Sequence, residues 1–93
     1  MALLDSCRLE LRIRTDVLDS DILLHIFAAK QELKRVGVPA EIVEDEMNDL
    51  VTRAIRSYVH SHMGPEEFAE QYMESFRLQA DNLRKSILEV PGV

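Results

Sequence analysis

The stretch RSYVHSHMGPEEFAEQY, residues Arg56–Tyr72, decides how the chain is organised. It joins two segments whose apolar residues recur every three to four positions, the pattern of amphipathic helices. Gly64 suits the end of the first helix, and Pro65 suits the first position of the second, where its missing N–H has no helical partner. Because so short a connection makes the two helices fold back on each other, the stretch predicts an antiparallel helical hairpin.

The histidines of this stretch do not fit a shared metal site. His60 and His62 are two residues apart, so about 200° of helical rotation separates their rings, whereas helical metal-binding pairs are four residues apart. An acid–base pair of His62 with Glu66 or Glu70 stays open as an alternative. However, these residues include neither a G-x-S-x-G motif nor a glycine-rich phosphate loop. We therefore expect a packed helical turn, with no enzyme activity, no metal and no cofactor.

The same periodicity predicts an all-α fold, a small bundle of about four helices with the C-terminal antiparallel hairpin as one half. We interpret residues 1–93 as a single helical domain, helical over about 3–13, 20–36, 48–62 and 65–88, with a possible helical turn before the third helix. The first helix is ambiguous, because the segment CRLELRI also alternates like a strand. A helix is preferred there because the later sequence offers no partner strand.

Residues that begin and end helices support these bounds. Asp19 or Ser20 can cap the second helix, and Gly37 followed by Pro39 ends it. His25 lies at the edge of the apolar stripe of that helix, where we expect a half-buried side chain. Met47 begins the apolar stripe of the third helix. The stripes together predict these core positions: Ile26, Phe27, Leu50, Ile55, Tyr58, Phe68, Tyr72, Phe76 and Leu83.

Composition restricts the function further. The 93 residues contain 17 acidic and 11 basic side chains, a net charge of −6, which argues against specific nucleic-acid binding. Cys7 is the only cysteine, so neither an internal disulfide nor a cysteine zinc site can form. There is no apolar run of about 18 residues and no signal-peptide pattern, so we expect no membrane partner and a cytosolic chain. The acidic stretch AEIVEDEMND is interpreted as an acidic helix start or a solvated loop; a cation site is the alternative, although the calcium-loop pattern is absent.

Five segments then follow in a characteristic order: LELRI, the acidic break TDVLDSD, ILLHIFAAKQEL, DLVTRAIRSYVHSHMG and FAEQYMESFRLQADNLRKS. In this order the chain resembles the small head-to-tail connector proteins of tailed bacteriophages and prophages, over about Leu9 to Leu83. The residues that match the pattern are Asp49, Leu50, Val51, Ala54, Ile55, Tyr58, Phe68 and Tyr72. The acidic stretch AEIVEDEMN departs from it, because a shorter connection is expected there.

This resemblance implies a structural role in the virion neck, after assembly in the host cytoplasm. It implies that copies self-associate into an adaptor ring, either in free solution or only on the portal protein, between that protein and the next neck protein. DNA would pass through the ring during packaging, and carboxylates facing the channel would repel its phosphates. The alternative function is a small helical regulatory or protein-interaction module that binds a partner through an apolar groove.

The C-terminal end is predicted to dock a partner. Its candidate docking residues are Ile87, Leu88, Val90, Pro91 and Val93. The last helix, as predicted, would equal or exceed the length of a compact domain of this size, leaving apolar residues that a monomer has difficulty covering. The alternative is that Ile87 and Leu88 close the bottom of the bundle and only the last five residues are loose.

Overall fold

The computed structural model describes the backbone of residues 2–13 and 15–88 and the side chains of residues 3–13 and 15–85. It contains five α-helices: α1 (Ala2–Glu10), α2 (Asp19–Arg35), α3 (Ala40–Val43), α4 (Asp49–Met63) and α5 (Ala69–Leu88). A short 3-10 helix, Glu66–Phe68, precedes α5. No strand occurs in this part of the chain, so the predicted all-α fold is confirmed. The helix additional to the four predicted ones is α3, a single turn that the sequence analysis allowed before the third predicted helix.

α4 is the central helix of the bundle and packs against α1, α2 and α5. Its buried face, formed by Val51, Ala54, Ile55 and Val59, lies within one continuous apolar core. The other members of that core are Leu3, Leu4, Cys7, Ile22, Ile26, Ala29, Leu33, Val38, Val43, Phe76, Ala80 and Leu83. The core therefore contains buried side chains from all five helices.

The end of α2 shows why glycine follows it. Gly37 adopts a φ of +110°, a conformation that side chains strongly disfavour. This turn lets the Gly37 N–H donate to the Lys34 carbonyl at 3.1 Å and the Val38 N–H donate to the Leu33 carbonyl at 3.0 Å. Both bonds satisfy carbonyls that the helix leaves open, as in a Schellman motif. Gly37 thus follows the helix end as expected, although α2 ends at Arg35, one residue before the predicted bound.

α1 ends earlier than the sequence predicts, at Glu10 instead of residue 13. The Ile13 N–H donates to the Arg8 carbonyl at 2.9 Å, and the Arg12 N–H donates to the Leu9 carbonyl at 3.1 Å. This is the same terminating motif, but Arg12 takes the left-handed position with φ of 60°. Because no glycine occupies that position, the sequence carries no clear stop signal.

The predicted cap of α2 is wrong. α2 begins at Asp19 itself, and no side chain caps its first turn. Asp19 instead forms an ion pair with Arg8, at 3.0 Å between Oδ1 and Nε, which ties α2 to α1. By contrast, the Asn48 side chain accepts hydrogen bonds from the Leu50 and Val51 N–H groups and caps α4.

Four residues expected on the buried stripes are exposed. Phe27 is 62% exposed, Leu50 56%, Phe68 44% and Met47 90%. Phe27 and Leu50 each neighbour a buried residue in sequence and are thus turned about 100° away from the core. Phe68 belongs to the 3-10 helix, whose turn differs from that of α5, and Met47 precedes α4. The expectation of burial is wrong at these positions.

Of the other predicted core residues, four are buried: Ile26, Ile55, Phe76 and Leu83. Tyr58 and Tyr72 are half-buried. The Tyr58 ring meets the Phe76 ring edge-on, with 5.0 Å between their centroids. This contact lies between α4 and α5, which run antiparallel as a hairpin, as predicted.

The turn of the hairpin contains a short 3-10 helix, so α5 does not start directly at Pro65. The Gly64 N–H donates to the His60 carbonyl at 2.8 Å, and the Phe68 N–H donates to the Pro65 carbonyl at 3.0 Å. The second bond spans three residues, so a 3-10 turn intervenes before α5. The predicted helix start at residue 65 is therefore four residues early.

Candidate functional site

His60 joins three parts of the fold at the hairpin end of α4. Its Nδ1 lies 3.1 Å from Glu10 Oε1 on α1, and its ring stacks on Tyr72 of α5 at 3.9 Å between centroids. Arg56 approaches the other oxygen of Glu10 at 3.9 Å. The His60 side chain is only 12% exposed. Its contacts are therefore those of a packing residue that holds α1, α4 and α5 together.

His62 belongs to a different cluster on the other side of α4. Its ring centroid lies 5.1 Å from that of His25 and 4.4 Å from that of Tyr58. Burial, and then the neighbouring His25, lower the pKa of His62. Helical rotation thus separates His60 from His62, but the sequence did not indicate that His25 and His62 meet. The only signal was that His25 lies at the edge of an apolar stripe.

Neither cluster forms a metal or acid–base arrangement in the described part of the chain. No group of three His, Cys, Asp or Glu side chains in residues 3–13 and 15–85 is placed to hold a metal ion. Glu70 lines the same open cleft as His62, yet no hydrogen bond between these two side chains is formed. The cleft therefore brings the two groups to one surface without pairing them.

A hydrophobic surface covers the solvent side of α2. We call it the outer face of α2; it comprises Leu23, Leu24 and Phe27, all exposed. The buried residues Ile22 and Ile26 lie on the opposite side of the helix. Three large apolar side chains in contact with solvent on one helical turn indicate a surface for another protein.

A second surface is an open cleft of about 370 Å³ beside α4. We call it the arginine groove; its lining residues are Glu10, Leu50, Arg53, Arg56, Ser57 and Gln79. Gln79 donates to the Ser57 hydroxyl at 3.0 Å and so links α5 to α4 at the groove. The sequence missed both surfaces, because apolar residues on an amphipathic helix were assigned to the core.

The predicted docking residues at the C-terminal end lie outside the described residues. The backbone of α5 is described as far as Leu88, but the side chains of Ile87 and Leu88 are not, nor are Val90, Pro91 and Val93. Leu83 is the last buried side chain in the described part of α5. The docking role of this end therefore stays a prediction.

The chain is a small helical bundle with one apolar core, an exposed apolar face on α2 and a charged groove beside α4. No helix in the described part of the chain is both long and apolar enough to cross a membrane. The sequence model of the phage connector protein family matches residues 3–87. The chain therefore belongs to the phage connector protein family, and it has a structural connector role in the phage. Comparison with curated proteins and with solved structures gave no match.

Acid should weaken the fold through the cluster of His62, His25 and Tyr58. The pKa of His62 is lowered in the folded chain, so between the lowered value and 6.5 only the unfolded chain takes up the proton. The contribution of neutral His62 to the stability of the fold is fully present above pH 6.5 and is lost as the pH falls through the lowered pKa. We expect the free energy of unfolding, measured in urea melts, to decrease over that interval.

His62→Gln is the matched variant for this measurement, because it keeps a polar side chain that cannot titrate. It should flatten the pH dependence below 6.5, whereas an unchanged slope would show that another group carries the effect. A separate loss is expected below about 4.5, where Glu32 and Glu44 titrate. Hydrogen bonds to neighbouring cations lower the pKa of both carboxyls, so their stabilisation disappears only in stronger acid.

Proposed function

We propose that this connector acts as a neck adaptor, a ring of identical copies between the portal protein and the next neck protein. The observation that carries the proposal is the family match, which spans residues 3–87. The outer face of α2 supports it, because an exposed apolar surface gives a small chain the means to assemble with other proteins. In this role the chain binds neighbours and catalyses no reaction.

The charge distribution supports a role around a DNA channel. Two exposed regions are strongly acidic: residues 41–49, from α3 to the start of α4, and residues 66–74, from the 3-10 helix into α5. Their exposed carboxylates are Glu41, Asp45, Glu46, Asp49, Glu66, Glu67, Glu70 and Glu74. A ring that turns either region toward its lumen would repel DNA phosphates and so let the DNA slide during packaging.

Electron microscopy of the chain mixed with the portal protein of the same phage tests the proposal. We expect rings of the connector stacked coaxially on the portal ring. A chain that leaves the portal bare at high concentration would show that the adaptor position is wrong. The portal protein alone is the control for the dimensions of the unoccupied ring.

The C-terminal docking hypothesis adds a prediction. Deleting Lys85 to Val93 should leave the melting temperature nearly unchanged and abolish assembly on the portal, because the last described buried side chain, Leu83, is retained. Circular dichroism melts and the portal-binding assay together measure this. If the shortened chain unfolds, or assembles as the full chain does, the end belongs to the bundle or is dispensable.

A further inference from the structure

The outer face of α2 and the arginine groove lie on opposite sides of the bundle. α2 and α4 pack against each other, and α2 turns Ile22 and Ile26 to the core while Leu24 and Phe27 face solvent. On α4, His62 meets His25 of α2, whereas Arg53, nine residues earlier, lies about 180° away around the helix. The two exposed surfaces therefore point away from each other.

Two exposed carboxylates without a partner among the described side chains lie just before and in the first turn of α2, the helix that carries the outer face. Asp16 and Asp21 are exposed, and neither forms an ion pair with another described side chain. The cations nearer the C-terminal end of α2 are already neutralised. Lys30 and Lys34 contact Glu44 at 3.0 and 2.9 Å, and Arg35 pairs with Glu32.

The arginine groove has the opposite sign. Arg53 is exposed and lines the groove, and it forms no ion pair within the described residues. Arg12 is also exposed and lines the neighbouring cleft, which shares Glu10 with the groove. Arg56 and His60 already contact Glu10, so the charge left to attract a partner comes from Arg12 and Arg53. Leu50 adds an exposed apolar contact at the same place.

We infer that the outer face of α2 in one copy binds the arginine groove of the next copy. Leu24 and Phe27 would cover Leu50, while the carboxylates near the start of α2 approach Arg12 and Arg53. Since two different faces meet, the contact is heterologous and can repeat until a ring closes. The inference rests on the proposed adaptor role and adds to it the surfaces that join neighbouring copies.

Two double variants test this contact, each removing one side. The α2-face variant is Leu24→Ser with Phe27→Ser, and the groove variant is Leu50→Ser with Arg53→Glu. A matched control, Arg77→Glu with Leu78→Ser, changes an exposed pair on α5 that belongs to neither surface. All the changed side chains are exposed, and circular dichroism checks that each variant folds. If the groove variant does not fold, Arg53→Glu alone replaces it.

Sedimentation velocity without the portal protein measures self-association up to about millimolar concentration, where weak contacts are populated. We expect the wild type and the control variant to associate and each surface variant to be monomeric. Mixing the two surface variants should give dimers and nothing larger, because each retains one of the two complementary surfaces. The wild-type association should weaken at high salt, since opposite charges attract across it.

Three results would overturn the inference. The first is a wild-type chain that stays monomeric throughout, and the second is a mixture of the two variants that forms no dimer. The third is a groove variant that still dimerises by itself, which would mean that α2 pairs with α2. Because the portal is absent, these results leave the adaptor position untouched. A chain that associates as expected but fails to bind the portal would instead contradict the proposed function alone.

Discussion

Phe76→Ala is expected to lower the free energy of unfolding by about 3–5 kcal/mol, the usual cost of truncating a buried aromatic side chain. Phe76 is 3% exposed and lies where α5 packs on α4. Its ring meets Tyr58 edge-on, with the planes at 70°, so the substitution removes an aromatic contact as well as buried area. Small domains have only about 5–15 kcal/mol of stability in total. A substantial unfolded fraction should therefore appear without denaturant.

Urea melts followed by circular dichroism measure this loss. Leu78→Ala is the matched control, because Leu78 lies two residues further along the same helix and is exposed. It should change stability by no more than about 0.5 kcal/mol, as is usual for surface substitutions. A loss below about 1 kcal/mol for Phe76→Ala would contradict the packing of α5 on α4. Equal losses for the two variants would indicate an effect of helix propensity rather than of burial.

Gly64→Ala is expected to lower the free energy of unfolding by about 1–3 kcal/mol, the range for forcing extra volume into a packed site. The backbone of Gly64 is extended, with φ of −85°, so the cost does not come from its dihedral angles. A Cβ there would overlap Cδ2 of the His60 ring and lie 2.7 Å from the His60 carbonyl oxygen. The ring must move, and the stack on Tyr72 and the contact with Glu10 are lost with it.

A double-mutant cycle separates the ring from the backbone in this effect. In a His60→Ala background the ring is gone, so Gly64→Ala should cost less than it does in the wild type. The contact with the carbonyl oxygen is still present, and part of the cost should persist. The same cost in both backgrounds would show that the ring is not what excludes a side chain from position 64.

Periodicity predicted the helices because each helix buries one stripe, and the positions of Ile26 and Phe76 follow directly from it. Periodicity could not show whether the apolar residues beside a buried stripe belong to the core or to an exposed surface. Phe27 is next to Ile26 in sequence, and its side chain is equally compatible with a broad core and with a partner. The end of α1 was missed because Arg12 takes a conformation that usually requires glycine.

The candidate surfaces depend on tertiary arrangement, which local pattern does not reveal. His25 and His62 are distant in sequence, and only the packing of α2 on α4 brings their rings together. The arginine groove likewise combines residues from α1, α4 and α5. The sequence could establish that arginines and an apolar residue occur on α4, but not that Glu10 and Gln79 complete a cleft around them.

The buried thiol of Cys7 can report how often α1 detaches from the rest of the bundle. Cys7 is 1% exposed, and burial raises its pKa to about 12, so at neutral pH the nucleophilic thiolate is almost absent from the closed molecule. A thiol reagent therefore reacts mainly with molecules in which α1 has detached, and its labelling rate reports how often that occurs. As Cys7 is the only cysteine of the chain, the labelling measurement needs no engineered cysteine. The labelling rate can also be measured in an assembled particle. A lower rate there than in the free chain would show that neighbouring subunits hold α1 in place.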